Sequence, residues 1–206
     1  MSLLQQAPRF DAAGAAQLAR DLYGLHAAAS PLPSERDQNF LLTAATGERF
    51  VLKIANLHET RDLLEAQDAA MSQVAEIGLC PRVLPALDGS RITKAGTGHY
   101  VRLLTWLPGN PLGEQATRPD ALLEDLGRSL GRLSRALSGF DHPAIHRDFH
   151  WDLARGFTIV AEHAPLIPDP ELQGLVRRTV AHIQARDGER IARLRRSAVH
   201  GDANDY

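Results

Sequence analysis

The apolar pattern of this chain changes period once, around Pro108-Gly109-Asn110-Pro111, and that change restricts the fold to a mixed one. Before it, residues 39–44 and 49–54 alternate as two strands around the turn Ala45-Thr46-Gly47, an antiparallel hairpin. Two more strands are expected at 82–87 and 100–106, separated by the turn signals Asp88-Gly89 and Gly96-Thr97-Gly98. A helix over 12–23 is capped by Asp11 and stopped by Gly24. A second, over 60–77, carries Leu63, Leu64, Met71, Val74 and Ile77 near helical spacing and ends at Gly78 and Pro81. Ser30-Pro31-Leu32-Pro33 reads as a linker. After the change, 119–138 places Leu122, Leu126, Leu130, Leu133 and Leu137 at spacings of three and four. Residues 141–170 are poorly periodic, and 170–196 reads as one or two helices. The expectation is α+β: a β-rich lobe over 1–108 with one helix between its strands, then a helical lobe over 109–206 whose Leu stripe still needs a partner.

Composition removes several classes. A net charge of −2 offers no field for a nucleic-acid backbone. The single cysteine, Cys80, rules out a disulfide framework and a thiolate metal site, and suits a reducing compartment. No apolar leader opens the chain and no run of about 18 apolar residues occurs. Neither secretion nor a membrane span is expected, and the location expected is the cytoplasm.

Arginine outnumbers lysine 21 to 2, yet one of the two lysines, Lys53, stands inside the apolar strand Val51-Leu52-Lys53-Ile54. A strand lysine is ordinarily a solvated edge residue; apolar flanks instead bury its stem and aim the ammonium inward. Such a fixed cation suits phosphate groups. The following helix offers Glu59, Glu65 and Glu76 as ion-pair partners. Glu65, among Leu63-Leu64-Glu65-Ala66-Gln67, is the expected choice, against the alternative of a surface glutamate. At the far end, Ser197-Ala198-Val199 leads into His200-Gly201-Asp202, the opening of an H-G-D-x-x-x-x-N catalytic loop whose asparagine would be residue 207.

In order, Ser34-Glu35-Arg36-Asp37-Gln38-Asn39-Phe40, Phe50-Val51-Leu52-Lys53-Ile54, Leu64-Glu65-Ala66-Gln67, Leu104-Thr105-Trp106-Leu107-Pro108-Gly109, Arg147-Asp148-Phe149-His150-Trp151-Asp152 and the terminal His200-Gly201-Asp202 resemble the aminoglycoside phosphotransferase-like kinases, and among them the hydroxylysine kinase type. The resemblance implies a protein-kinase-like two-lobed fold and transfer of the γ-phosphate of ATP or GTP, with Mg2+, to a hydroxyl of an amine-bearing small molecule. That acceptor would be an amino alcohol, a hydroxylated amino acid or an aminoglycoside-like compound.

It further implies that Lys53 contacts the α- and β-phosphates and is oriented by Glu65. The segment from Ser34 to Asn39 stands where protein kinases place a glycine-rich loop, without a glycine. Thr105, Trp106 and Leu107 form the hinge that meets the purine. Asp202, with His200 beside it, takes or orients the acceptor's hydroxyl proton. The magnesium ligands of such kinases, an asparagine at 207 and a later aspartate, are expected beyond Tyr206, so the 206 residues alone are expected to be inactive. An alternative is a non-catalytic nucleotide- or ligand-binding module of the same fold, the N-terminal part of a larger protein with an aminotransferase-like module.

Three other features have competing readings. His146-Arg147-Asp148 spells the protein-kinase triplet, but Leu153 stands where its loop needs asparagine. Asp148, His150, Trp151 and Asp152 instead offer carboxylates and an aromatic face for a cationic substrate, or simply a loop with a core Trp. His146 and His150 are spaced for one helix face, yet H-E-x-x-H is missing, so zinc is not expected. The arginines between 177 and 196 read as a solvated helix face, diluted by Glu171, Asp187 and Glu189.

Overall fold

The computed structural model describes residues 7–149 and 151–203. The contacts divide them into two compact units. One holds the residues up to Ile145 together with those from Ala198 onward; the other is His146–Ser197.

The first unit is built on an antiparallel sheet. Helix α1 (Ala12–Tyr23) leads into strands β1 (Ala27–Leu32), β2 (Gln38–Ala44) and β3 (Arg49–Ile54). Helix α2 (Arg61–Gln73) follows, then β4 (Val83–Leu84), β5 (Thr93–Lys94) and β6 (Tyr100–Thr105). The strand order is β1-β2-β3-β6-β4, with β5 also on β6, and every pairing is antiparallel. Helix α3 (Asp120–Ala136) completes the unit.

Local chemistry sets these elements. The Asp11 carboxylate accepts from Gly14 N at 2.7 Å at the start of α1. Gly24 closes the helix at φ 65°, where an added Cβ would stand 3.2 Å from Leu87 Cδ2. Thr60 Oγ1 accepts from Leu63 N to open α2, which ends earlier than its apolar spacing predicts, at Gln73, with a 3-10 turn at Ala75–Ile77. The expected linker 30–33 is a correction: residues 30–32 belong to β1, with Pro31 paired to Phe40. Proline is tolerated there because β1 is the edge of the sheet and needs no second ladder. The strand expected over 82–87 is only two residues long.

The strands' alternation gives the sheet two unlike faces. Phe40, Leu42, Leu52, Ile54, Val101 and Leu103 pack with Ala15 and Ala19 of α1 in a buried apolar core. On the opposite face, Arg102 reaches Asp68 and Gln67 of α2, so that helix covers the second side. A third cluster joins Val74 to Leu133 and Leu137, with Ala198 against it, which anchors α3 and the start of the terminal loop. The other end of the α3 stripe, Leu122 and Leu126, is exposed.

The second unit consists of a 3-10 turn at Leu153–Arg155, helix α4 (Gly156–His163), another turn at Ala164–Leu166, and helix α5 (Pro170–Ala192). Asp169 caps α5, accepting from Glu171 N at 2.8 Å and Leu172 N at 3.2 Å. Helix α4 lies in the stretch whose weak periodicity predicts no element; it is two turns long and none of its residues is buried.

Leu52 is fully buried at the centre of the sheet and the α1 core. Leu52→Ala is expected to lower unfolding free energy by about 2–5 kcal/mol, through lost transfer energy plus a cavity, as read by urea denaturation.

Candidate functional site

Lys53 lies on the α2 face of the sheet. Its register partners are Asn39 on β2 and Arg102 on β6, so three polar side chains form one row across the central strands. The next row is apolar, Leu41, Val51 and Leu104. Asn39, Leu41, Val51 and Lys53 are all half-buried, whereas Arg102 is 4% exposed.

The two cations of this row are treated differently. Arg102 Nη1 donates to Asp68 Oδ1 at 2.8 Å and Nη2 to Gln67 Oε1 at 2.8 Å. Arg91 Nε stands 4.0 Å from Asp68 Oδ2, and that oxygen has no hydrogen-bond partner. Burial raises the Asp68 carboxyl above its ordinary value, against the opposing hydrogen bond and charge of Arg102. Lys53, by contrast, enters none of the ion pairs among the described residues. Burial lowers its ammonium below the usual lysine range; Asp37 opposes that shift and Arg102 adds to it. Asn39 Oδ1, its neighbour in register, is buried without a partner.

The segment before β2 is fastened to the chain after β3. Asp37 Oδ1 accepts from both Asn56 N and Asn56 Nδ2, each at 3.0 Å. Asn56 is 4% exposed and its own Oδ1 accepts from His58 N at 2.9 Å. Ser34, Glu35 and Arg36 of the same segment are exposed.

Glu65 requires a correction. It is exposed and accepts from Arg61 Nε at 2.8 Å, one helical turn back, instead of meeting Lys53. The residues of α2 that point to the sheet are Leu63, Leu64, Ala66 and Asp68, so the buried acid is three positions further on. Asp68, Arg102, Asp37 and Asn56 were not expected from sequence. Arg102 carried a readable signal, a charge within an otherwise apolar strand at the position facing Lys53; the bridge between Asp37 and Asn56 depends on loop geometry and carried none.

At the end of β6, Thr105 exchanges two hydrogen bonds with Arg82, its N donating to Arg82 O and its Oγ1 accepting from Arg82 N, both 2.9 Å. Trp106 lies beneath the Arg49 guanidinium at 4.8 Å, and its indole N–H is buried without a partner. Leu107 is exposed. His200 and Asp202 are exposed, with Asp202 N 3.4 Å from His200 Nδ1, and they belong to the same compact unit as Lys53.

In the second unit, Asp148 pairs with Arg155 at 2.9 Å and Trp151 is 71% exposed. Asp152 Oδ1 caps the following turn by accepting from Ala154 N at 2.9 Å. His150 lies outside the described residues. Among the described residues no three His, Cys, Asp or Glu side chains gather as a metal site. Among the described residues no helix is long and apolar enough to cross a membrane.

Residues 28–205 match the family described as the phosphotransferase enzyme family, and the chain belongs to it. It is 28% identical to hydroxylysine kinase of Danio rerio over 221 aligned residues, covering 100% of the chain and 62% of that protein. It is 30% identical to hydroxylysine kinase of Xenopus laevis, covering 93% of the chain and 56% of that protein. Among solved structures it is similar to an amicoumacin kinase in complex with AMP-PNP, Ca2+ and Ami, with TM-score 0.62, 14% identity, and coverage of 91% of the chain and 55% of that structure. A spectinomycin phosphotransferase with ADP and spectinomycin has TM-score 0.57 at 11% identity, covering 90% and 57%. These neighbours share the α+β kinase-like fold expected from sequence. The chain spans roughly three fifths of the length of these curated relatives.

The lowered ammonium of Lys53 gives a stability test. Between its folded value and the unfolded 10.5, the unfolded chain holds more protons at this position than the folded one. Stability at this position therefore rises with pH through that window, and the cost of the buried charge is fully present below it. Lys53→Met is expected to raise unfolding free energy at neutral pH by about 0.5–2 kcal/mol, the scale typical of relieving a functional site. The gain should shrink toward pH 10.5, as read by urea denaturation across pH.

Proposed function

We propose that this chain is the nucleotide-binding and loop-bearing part of a small-molecule kinase that moves the γ-phosphate of ATP or GTP to a hydroxyl of an amine-bearing metabolite. The observation that carries this reading is Lys53, a half-buried ammonium outside any ion pair, beside the unpartnered amide oxygen of Asn39, in a row whose other cation is already bound to Asp68. A half-buried cation outside any ion pair is complementary to an arriving phosphate.

In this reading the nucleotide base lies along Leu41, Val51 and Leu104, with Thr105, Trp106 and Leu107 at its edge. The phosphates meet Lys53, and Ser34 and Asn39 supply polar groups around them. The acceptor oxygen attacks the γ-phosphorus, a P–O bond forms, and the bond to the β-phosphate oxygen breaks with its electron pair leaving on the nucleoside diphosphate. Asp202 takes the acceptor's proton, with His200 orienting the loop. Asp148, His150, Trp151 and Asp152 are proposed, by themselves, as carboxylates and an aromatic face for a cationic group. Among the described residues no three His, Cys, Asp or Glu side chains gather to hold the metal ion that such kinases use. The similarity to hydroxylysine kinases favours a hydroxylated amino acid or an amino alcohol as acceptor.

The test is phosphoryl transfer by the full reading frame, offered ATP and GTP with hydroxylysine, an amino alcohol and an aminoglycoside. Transfer to one of these is expected, and Asp202→Asn and Lys53→Met should each lower kcat/KM by about 100- to 1,000-fold. Nucleotide binding without transfer to any acceptor would favour the non-catalytic module. Near-normal kinetics of Lys53→Met would remove the phosphate role of that lysine.

A further inference from the structure

Neither Glu65 nor Asp68 of α2 forms an ion pair with Lys53 in this structure. Glu65 is committed to Arg61 on the solvent side, and the Asp68 oxygen that is bonded at all is committed to Arg102. Yet Lys53 sits between the orphaned amide of Asn39 and a second cation, in a position that leaves an ammonium in want of a nearby negative charge. One carboxylate is brought to this corner by topology. Gln38 pairs with Ile54 and Asn39 with Lys53, so the chain entering β2 runs past the end of β3, where Asn56 follows. There Asn56 grips the Asp37 carboxylate with two hydrogen bonds to one oxygen, leaving Oδ2 out of that bridge. Asn56 is itself fixed by burial and by its bond from His58 N.

We infer that Asp37, held by Asn56, is a positioning counter-charge of Lys53, supplied from the β1–β2 segment. This deepens the proposed function, since it rests on Lys53 being the phosphate-binding cation. A carboxylate that acts without a direct ion pair favours the charged amine while leaving its N–H groups open for phosphate oxygens. The same contact ties the glycine-free segment from Ser34 to Asn39 to the residue it would help to serve: the segment has no backbone nest of glycines, and the bridge between Asp37 and Asn56 supplies its rigidity instead.

The charges acting on Lys53 are Asp37, which favours the ammonium, and Arg102 from β6, which opposes it and is itself offset by Asp68 of α2. Glu59, just before α2, is the rival, because its Oε2 is buried without a partner. The chain has only two lysines, and Lys94 is exposed on β5, so competitive acetylation followed across pH reads Lys53 directly with Lys94 as internal reference. Asp37→Asn keeps an oxygen for both Asn56 donors and removes the charge. It is expected to move the Lys53 labelling midpoint to lower pH with Lys94 unmoved, because a neutral neighbour no longer favours the ammonium. Asp37→Ser provides a second neutral variant should the first misfold, and Asn56→Ala should shift Lys53 in the same direction by releasing Asp37. Glu65→Gln and Glu59→Gln should leave the midpoint in place. An unchanged midpoint in a folded, charge-neutral Asp37 variant, or a shift produced by Glu59→Gln, overturns the inference. A separate arm with AMP-PNP asks whether nucleotide slows Lys53 acetylation: the Asp37 shift without such protection would keep the counter-charge and remove the phosphate role.

Discussion

A single ammonium held inside an apolar strand governs this structure. Burying a charge is costly unless it is paired, and of the two cations in the Asn39-Lys53-Arg102 row the chain pairs one closely while leaving the other open. Arg102 is bound by Asp68 and Gln67, whereas Lys53 has only polar and charged neighbours at a distance. The cost falls on the half of the molecule that can bear it, because the opposite sheet face is closed by the apolar core with α1. The apolar face supplies stability, and the face with a row of polar groups is the proposed binding surface.

That division explains why α1 and α2 differ. Helix α1 buries alanines, Ala15 and Ala19, so that its backbone comes close to the sheet. Helix α2 buries Leu63, Leu64 and Ala66 but also Asp68, and meets the sheet through a charged bond. Such a pair is demanding, since removal of either partner strands a buried charge. It fixes the register of α2 against β6, and it occupies Arg102 beside the lysine proposed to bind phosphate.

Much of this was legible in the sequence. The hairpin of β2 and β3, the capped helix α1 and the leucine-lined α3 followed from period and cap chemistry, and family membership agrees with the ordered motifs between Ser34 and Asp202. Strand β1 was not legible because Pro31 signals a break, and only its place at a sheet edge makes it admissible. Glu65 misled because sequence spacing places it between Leu64 and Ala66, while the helix turns it outward to Arg61. Asp37 and Asn56 lie 19 residues apart, so the contact between them depends on how two loops meet and leaves no periodic trace.

The proposed nucleotide binding, the role of the preceding segment and the proposed chemistry all converge on Lys53. The most direct measurement is an NMR titration of the chain with its two lysines isotopically labelled at the side chain. With AMP-PNP added, the Lys53 signal is expected to move while Lys94 stays in place, and adenosine without phosphates should leave both unmoved. A Lys53 signal indifferent to the nucleotide at saturation, or one that responds equally to adenosine, would contradict the account.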